Sequence, residues 1–168
     1  MLYDYIYDMK TYSPFLNFLY RSMLMVEGIS GRHIEGAQMI ILKNKHILLI
    51  KPTYRPHWEL PGGKVEKGEA PETAAVRETK EEARIFVKKI ARKLGMYSDH
   101  YLNRSVLIHV YIAEIWEELD LWKPGLEIAQ RGFFPLHDLP EDISQATLLR
   151  IKELSLGNDK EFSGEWQQ

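Results

Sequence analysis

Residues 63–85 read GKVEKGEAPETAAVRETKEEARI, and every other interpretation of the chain depends on this stretch. Glu78, Glu81 and Glu82 are separated by three or four positions, which places them on one face of an α-helix. Carboxylates crowded in this way repel one another unless a cation lies among them, and hard divalent cations take oxygen ligands. The spacing therefore favours a metal-binding helix, although a solvated acidic helix face has the same pattern.

Two glycine-containing segments precede this helix and favour the metal-binding interpretation. The turn at 61–63, Pro-Gly-Gly, allows close backbone approach and exposes carbonyl groups. The segment 68–72, Gly-Glu-Ala-Pro-Glu, is typical of a helix start, with Pro71 near the first helical position. A glycine turn, Glu69 and the acidic helix are thus expected to converge on one small volume.

The spacing of these residues resembles the Nudix box, a motif of one hydrolase family. Its pattern is Gly, five residues, Glu, seven residues, Arg-Glu, an apolar position, any residue, Glu-Glu, any residue, Gly and an apolar residue. The matching positions here are Gly63, Glu69, Arg77, Glu78, Glu81, Glu82 and Ile85.

Two positions depart from the family pattern. Thr79 replaces the commoner aliphatic residue, a mild change because its methyl group can still pack. Arg84 stands where the family has its last glycine. That glycine resembles a helix C-cap in the left-handed conformation, where a side chain costs about 1 kcal/mol. Either Arg84 adopts that conformation or the helix continues past it, and neither outcome removes a predicted ligand.

Composition sets the class of protein. The 168 residues suffice for one domain, and 45% hydrophobic with 27% charged residues is ordinary for a soluble globular chain. A net charge of −2 argues against non-specific DNA binding. The absence of cysteine excludes disulfides, thiolate metal sites and cysteine nucleophiles. We expect a cytoplasmic location, and a chain without cysteine is compatible with that reducing compartment.

Residues 1–33 are predicted to form an amphipathic extension outside the domain. Apolar residues at positions 15, 18, 19, 23 and 26 follow Ser13-Pro14 at helical spacing. The apolar stretch is shorter than the roughly 20 residues that span a bilayer, and no basic segment of a signal peptide precedes it. We expect it to pack on the domain or on a second subunit of a homodimer, with membrane-surface binding as the alternative.

The remaining pattern predicts strands and helices in an order that suits a mixed sheet between helices. A hairpin is expected from 38–42 and 46–50, and an apolar strand buried on both faces from 106–115. Further expectations are a helix at 71–83, extended chain at 86–96, a short strand at 132–136 and a helix at 143–156 buried through Leu148, Leu149, Ile151 and Leu154. The resemblance implies an α/β (α+β) fold, the Nudix α/β/α sandwich, over 34–156, and the polar tail 157–168 is expected to fray.

The resemblance implies hydrolysis of a nucleoside diphosphate linked to another group, with Mg²⁺ or Mn²⁺ as cofactor. At the matching positions it implies Glu78, Glu81 and Glu82 as metal ligands, with the Gly62 carbonyl as a backbone ligand. Glu81 is also a catalytic candidate. The other box positions, Gly63, Glu69 and Arg77, are expected to support the loop and helix, and Arg77 to orient a carboxylate.

The general base of this family can lie outside the box, and Glu127 is the candidate here. It precedes the predicted strand at 132–136. The alternative is a surface glutamate without a role. Glu114, Glu117 and Glu118, at the end of another strand, are interpreted as solvated.

Substrate contacts are expected from residues near the glycine turn and after the box. Arg55 and Arg104 are candidate phosphate contacts, and Trp58 and Tyr54 are candidates for stacking on a base. Tyr101 lies where a tyrosine in the family suggests dinucleoside polyphosphates. The alternatives are surface arginines and a core tryptophan.

Two functions from different classes follow from the sequence. The first is a metal-dependent pyrophosphohydrolase of small nucleotide-type substrates. The second is a catalytically weak Nudix-fold module that binds a nucleotide or a protein partner, and Arg84 alone supports it. An RNA 5′-end pyrophosphohydrolase is less favoured, because no basic strip is visible in the sequence.

Overall fold

The structure is a computed structural model that describes residues 34–101, 104–119, 121–157 and 161–166. The predicted extension at 1–33 lies outside these residues, so its helix and its packing stay predictions. No helix within the described ranges is long and apolar enough to cross a membrane.

The described chain contains strands and helices in a mixed α/β order. The strands are β1 Ile34–Ile40, β2 Leu42–Lys43, β3 His46–Pro52, β4 Gly62–Lys64, β5 Ile85–Tyr101, β6 Arg104–Glu118, β7 Ile128–Pro135 and β8 Phe162–Glu165. The helices are α1 Pro71–Ala83, between β4 and β5, and α2 Gln145–Ser155, between β7 and β8.

The strands form two sheets, one of which is mixed. The five-stranded sheet has the order β4-β1-β6-β5-β8, and the three-stranded sheet has the order β2-β3-β7. β1 runs parallel to β6, whereas β4 pairs with β1 and β5 pairs with β6 in antiparallel fashion. The predicted mixed sheet is therefore confirmed.

The core lies on both faces of the strands, as β3 illustrates. Leu48 and Ile50 belong to the cluster that contains Ala74 and Ala75 of α1. The alternate residues Ile47 and Leu49 belong to the cluster that contains Ala146 and Ile151 of α2. Because side chains alternate along a strand, this division places one helix on each side of the strands. The expected α/β/α sandwich is confirmed.

Helix α1 has the predicted bounds and ends at Arg84 in the left-handed conformation. Arg84 has φ 54° and ψ 37°, and its N–H donates to the Lys80 carbonyl at 3.1 Å. The chain thus ends this helix as the family glycine would, with a side chain in a conformation that favours glycine. Thr79, the other departure from the pattern, is fully buried and donates to the Ala75 carbonyl at 2.7 Å.

Arg84→Gly is expected to be neutral or stabilising by roughly 0.5–1 kcal/mol, because glycine relieves the left-handed backbone but adds entropy to the unfolded chain. Urea denaturation of both proteins measures the difference. Lys80→Gly is the matched control inside the same helix, and it should lose about 1 kcal/mol. A loss of similar size for Arg84→Gly would contradict the strain assigned to residue 84.

The predicted hairpin is correct only for its second half. Asn44 and Lys45 have φ of 50° and 63° and form the two-residue turn between β2 and β3. Residues 38–40, however, belong to β1 in the other sheet. The chain passes between sheets at Ile41, so one apolar run supplies strands to both.

Two burial predictions need correction. On β6 the core clusters include Val110, Tyr111 and Ile112, but Ile115 is 49% exposed, so burial on both faces does not extend to the strand's end. On α2 the buried residues are Ala146, Thr147, Arg150 and Ile151, while Leu148, Leu149 and Leu154 are only half-buried. The prediction chose the wrong buried face of α2 because it counted only apolar residues and so left out Arg150.

The buried guanidinium of Arg150 is stabilised from two directions. Its guanidinium lies 3.6 Å from the ring centroid of Tyr97 and forms an ion pair with Glu153 at 2.9 Å. The Tyr97 hydroxyl donates to the same Glu153 carboxylate at 2.6 Å. The Trp166 ring also packs near this guanidinium, with its centroid 5.2 Å away.

The prediction of a frayed tail is wrong for residues 161–166. Strand β8 runs parallel to β5, with Phe162 opposite Gly95. The Trp166 N–H donates to the Ser98 carbonyl at 2.8 Å, and its side chain is buried. Two aromatic residues thus anchor a segment whose composition is otherwise polar.

Candidate active site

Arg77 ties the loop that precedes α1 to the helix itself. Its Nε and Nη2 donate to the two carboxylate oxygens of Glu69 at 3.0 and 2.9 Å, a bidentate pair. Nη2 also donates to the Lys64 carbonyl at 3.0 Å, and Nη1 donates to Glu78 at 2.7 Å. The hydrogen bonds from Arg77 lower the pKa of Glu69. These contacts agree with the supporting roles expected of Arg77 and Glu69.

Glu82 is the most buried carboxylate of the helix. It is 8% exposed, and one of its oxygens accepts a hydrogen bond from the Gly62 N–H at 2.8 Å. Burial raises the pKa of Glu82 well above its usual range, and the charges of Glu59, Glu78 and Glu127 raise it further. This carboxylate therefore sits where a bound cation would offset an unfavourable charge.

Gly62 reaches the site through its N–H, and its backbone requires glycine. It has φ 155°, and an added Cβ would lie 2.3 Å from the Ala37 carbonyl oxygen. The close approach of β4 to β1 thus brings the turn against the end of α1. A role for the Gly62 carbonyl as a metal ligand stays a prediction.

Glu78 lies against Gly63, one turn of helix before Glu82. An added Cβ at position 63 would lie 2.5 Å from the Glu78 carboxyl carbon, so glycine leaves the space that this carboxylate occupies. The Glu78 side chain is 16% exposed. Burial, and secondarily the charges of Glu81 and Glu127, raise the pKa of Glu78, although the hydrogen bond from Arg77 opposes them.

Gly63→Ala is expected to lower kcat at least about tenfold, because the methyl group displaces the Glu78 carboxylate from the site. Steady-state kinetics, with thermal melting to check folding, measures the effect. Gly125→Ala is the matched control, since an added Cβ there meets nothing within 4 Å. Equal activity of the two variants would show that the position of Glu78 does not matter.

Glu81 does not join the buried pair as the helix-face prediction suggested. Its side chain is 59% exposed and lies 3.4 Å from Arg77 Nη1. It lines a cavity of about 380 Å³ together with Lys80 and Arg84. Successive residues of an α-helix point about 100° apart. Glu82 therefore faces the glycine turn, while Glu81 faces solvent.

Glu127 influences the buried carboxylates electrostatically, although 45 or more positions separate them in the sequence. Its charge raises the pKa values of both Glu78 and Glu82. Its backbone carbonyl accepts a hydrogen bond from the Thr53 N–H at 2.9 Å, which fixes the residue before β7. Its role as a general base stays a prediction.

Glu59 is an acidic neighbour that the sequence did not single out. Its side chain is 14% exposed, and it accepts hydrogen bonds from Arg55 Nη1 at 3.0 and 3.4 Å. Of the neighbouring charges, it is the one that raises the pKa of Glu82 most. Its position three residues before Gly62, and four after Arg55, was the available signal.

The predicted substrate contacts divide into three groups. Arg55 and Tyr54 are half-buried near the glycine turn, with the guanidinium 5.5 Å from the tyrosine ring centroid. Trp58 is buried and packs edge-on against Phe134 at 4.7 Å, so the prediction that it stacks on a base is wrong.

Tyr101 and Arg104 form the third group, at the end of the β5–β6 hairpin. They pair with each other, and their side chains lie outside the described part of the structure. The register places Gly62 level with Val110 through Gln38, six positions along β6 from Arg104. Six residues of strand span about 20 Å, so the backbone of neither residue lies beside the glycine turn.

The donor set fits a divalent cation that keeps much of its water. In the described ranges no three acidic or histidine residues are arranged to hold a metal ion by themselves. Glu78 and Glu82 are nevertheless two buried carboxylates whose burial disfavours their charge. Mg²⁺ binds through one or two carboxylates, several waters and substrate phosphate, which matches such a pair.

Comparison with known proteins gives the family of the chain. The family model described as the NUDIX domain matches residues 33–152. An ADP-ribose pyrophosphatase of Methanocaldococcus jannaschii is 41% identical over 108 residues, 61% of this chain and 62% of the relative. A putative 8-oxo-dGTP diphosphatase of Bacillus subtilis is 42% identical over 66 residues, 39% of this chain and 44% of the relative.

A solved structure extends the likeness to the fold. The crystal structure of a MutT NUDIX hydrolase from Burkholderia pseudomallei superposes with a TM-score of 0.65 at 29% identity, covering 73% of this chain and 98% of that one. The chain spans less than two thirds of the length of the two sequence relatives above.

Proposed function

Because this chain belongs to the Nudix hydrolase family, we propose that it is a metal-dependent pyrophosphohydrolase that cleaves the pyrophosphate bond of a nucleoside diphosphate-linked substrate. The observation that carries the proposal is the burial of Glu78 and Glu82 against the glycine turn. Two buried carboxylates with raised pKa values are unfavourable in isolation, and a cation with an anionic substrate would offset that cost.

Glu78 and Glu82 would hold Mg²⁺ or Mn²⁺, with Glu81 as a further candidate at the exposed rim. A cation bound there would neutralise charge on the substrate phosphates and lower the pKa of a bound water. The Gly62 N–H would orient Glu82, and Arg77 would orient Glu78 while it holds the loop through Glu69. These fixed contacts would limit the motion of both carboxylates during the reaction.

Glu127 is proposed as the general base. It would accept a proton from the attacking water at its exposed carboxylate. Its electrostatic influence on both buried carboxylates supports the proposal. Arg55 would contact a substrate phosphate from the segment before the glycine turn, with Tyr54 beside it.

The substrate is proposed to be a small molecule in which a nucleoside carries a phosphoanhydride. The names of the two sequence relatives, an ADP-ribose pyrophosphatase and a putative 8-oxo-dGTP diphosphatase, share this chemistry. We also propose a cytoplasmic location, consistent with a chain without cysteine. The dinucleoside polyphosphates suggested by Tyr101 stay a prediction.

The alternative function, a binding module with little catalysis, rested on Arg84. Arg84 ends α1 in the conformation that the family glycine would adopt. The helix that carries the carboxylates therefore keeps its expected end, and the substitution gives no reason to propose a loss of activity.

A substrate screen tests the proposal. ADP-ribose, 8-oxo-dGTP, nucleotide sugars, NADH and dinucleoside polyphosphates would each be incubated with the protein and Mg²⁺ or Mn²⁺, and released nucleoside phosphates separated by chromatography. We expect cleavage of at least one compound, abolished by EDTA. Nucleotide binding without any turnover, in a folded protein with either metal, would favour the binding module instead.

A further inference from the structure

The last turn of α1 is fastened by residues from a distant part of the chain. The final four carbonyl groups of a helix have no partner within the helix, and the Glu82 carbonyl is one of them. The indole N–H of Trp122 donates to this carbonyl at 2.8 Å. The Leu119 N–H donates to the Arg84 carbonyl at 3.0 Å. Two groups outside α1 thus hold the backbone at which the helix ends.

Glu82 is consequently held at both ends. Trp122 binds its backbone carbonyl, and the Gly62 N–H donates to its carboxylate at 2.8 Å. Because Glu82 is buried, a carbonyl without a partner at this position would be costly. The direction in which the carboxylate leaves the helix therefore depends on the hydrogen bond from Trp122.

Trp122 turns inward from an exposed stretch of chain. Its ring is half-buried and packs against the core cluster that contains Ala74 and Ala75 of α1, whereas residues 121 and 123–127 are exposed. An indole suits this position because its apolar ring covers the cluster while its N–H reaches a carbonyl. The ring thus joins the segment after β6 to the end of α1.

The strain at Arg84 explains why the helix end needs this support. The left-handed backbone of Arg84, with φ 54°, is unfavourable for a residue that carries a side chain. A glycine would end the helix there without strain, whereas Arg84 gains free energy when it leaves that conformation. The hydrogen bonds from Trp122 to Glu82 and from Leu119 to Arg84 oppose such a movement.

From these contacts, and resting on the metal site proposed above, we infer that Trp122 is a positioning residue for the Glu82 carboxylate. Its indole N–H keeps the last turn of α1 closed against the strain at Arg84, so that Glu82 stays beside Gly62 and can share a cation with Glu78. Without this N–H the last turn opens part of the time, and the carboxylate leaves the cation. Trp122 thus compensates for the side chain at position 84.

The test measures Mn²⁺ binding by electron paramagnetic resonance, without catalysis. Trp122→Phe keeps an aromatic ring and removes the donor, and we expect it to weaken Mn²⁺ binding at least about threefold. Trp116→Phe is the matched control, because Trp116 packs against the same core cluster and its ring stacks on Phe133 at 5.8 Å. The control should stay near the wild-type affinity. Thermal melts check that both variants are folded.

A second probe separates the hydrogen bond from the shape of the ring. Benzothienylalanine placed at position 122 keeps two fused rings and has sulfur in place of the indole N–H. We expect this protein to fold as the wild type does and to bind Mn²⁺ as weakly as Trp122→Phe. A purely structural role for the ring would leave its Mn²⁺ affinity at the wild-type value.

Arg84→Gly completes the test as a double-mutant cycle with Trp122→Phe. Because glycine removes the strain, it should raise Mn²⁺ affinity at least about twofold more in the Trp122→Phe background than in the wild type. The positive charge of Arg84 is lost in both backgrounds, so the difference between them measures the effect of the helix end.

Either of two results would overturn the inference. One is a wild-type Mn²⁺ affinity with benzothienylalanine at position 122, and the other is an equal effect of Arg84→Gly in both backgrounds. Failure of the proposed metal site is distinguishable, because Mn²⁺ would then bind Glu82→Gln as well as it binds the wild type, and the inference would fall with that site.

Discussion

Glu78→Gln and Glu82→Gln each lower kcat by at least about 10²-fold while the protein stays folded. The amide keeps the shape of the side chain and an oxygen that can accept a hydrogen bond, including the one from the Gly62 N–H to Glu82. What it removes is the negative charge that a divalent cation requires. Steady-state kinetics at saturating Mg²⁺, with a substrate found by the screen, measures the effect.

Glu72→Gln is the matched control for these variants. Glu72 is an exposed glutamate in the first turn of the same helix, so the substitution makes the same chemical change away from the glycine turn. Near-wild-type turnover is expected for it. If Glu78→Gln and Glu82→Gln also kept that turnover, the metal site assigned to this pair would be wrong.

Although Glu82→Gln should lower activity, it should raise the stability of the metal-free protein. Burial raises the pKa of Glu82 above its value in the unfolded chain, so the folded state binds the proton more tightly. The stabilisation is complete below the unfolded pKa near 4.5 and is lost as the pH rises through the folded value. In EDTA at neutral pH, Glu82→Gln should therefore unfold at higher urea concentration than the wild type, and the two should converge in acid.

Trp166→Ala lowers the free energy of unfolding by about 3 kcal/mol. Trp166 is 9% exposed, lies 5.8 Å from the Tyr97 ring and shields the Arg150 guanidinium at 5.2 Å. Its removal leaves a cavity and admits water to a buried charge that Glu153 and Tyr97 stabilise. Urea denaturation followed by tyrosine and tryptophan fluorescence, together with circular dichroism, measures the loss.

Glu165→Ala supplies the comparison, because Glu165 is the exposed neighbour of Trp166 at the end of β8. It should change stability by less than about 0.5 kcal/mol. A tail that frays, as the composition of 157–168 suggests, would make both substitutions equally harmless. That outcome would contradict the role of β8 as part of the sheet.

Much of the candidate site could be predicted because its contacts are local. Arg77 reaches Glu69 eight positions earlier and Glu78 next to it, within a single loop and helix. The bounds of α1 and the left-handed Arg84 also follow from residues within a few positions. Spacing along one helix is visible in a sequence without knowledge of the rest of the fold.

Predictions that depended on distant residues were less complete. Trp58 has an aromatic ring suited to stacking on a base, but Phe134 and the α2 cluster bury it. The polar tail contains few apolar residues, yet Phe162 and Trp166 meet partners on β5 and α2. In each case the deciding partner lies on a strand or helix far away in the chain.

The sequence by itself determined the family, the acidic helix, the glycine turn before it and the arginine that joins them, because these depend on short-range spacing. Only the tertiary structure separated buried Glu78 and Glu82 from exposed Glu81, and placed Glu59 and Glu127 where their charges raise the pKa of Glu82. The physical reason is that burial and charge depend on which strands are neighbours. Sheet pairing joins segments such as β1 and β6 across some seventy positions, and no local pattern encodes it.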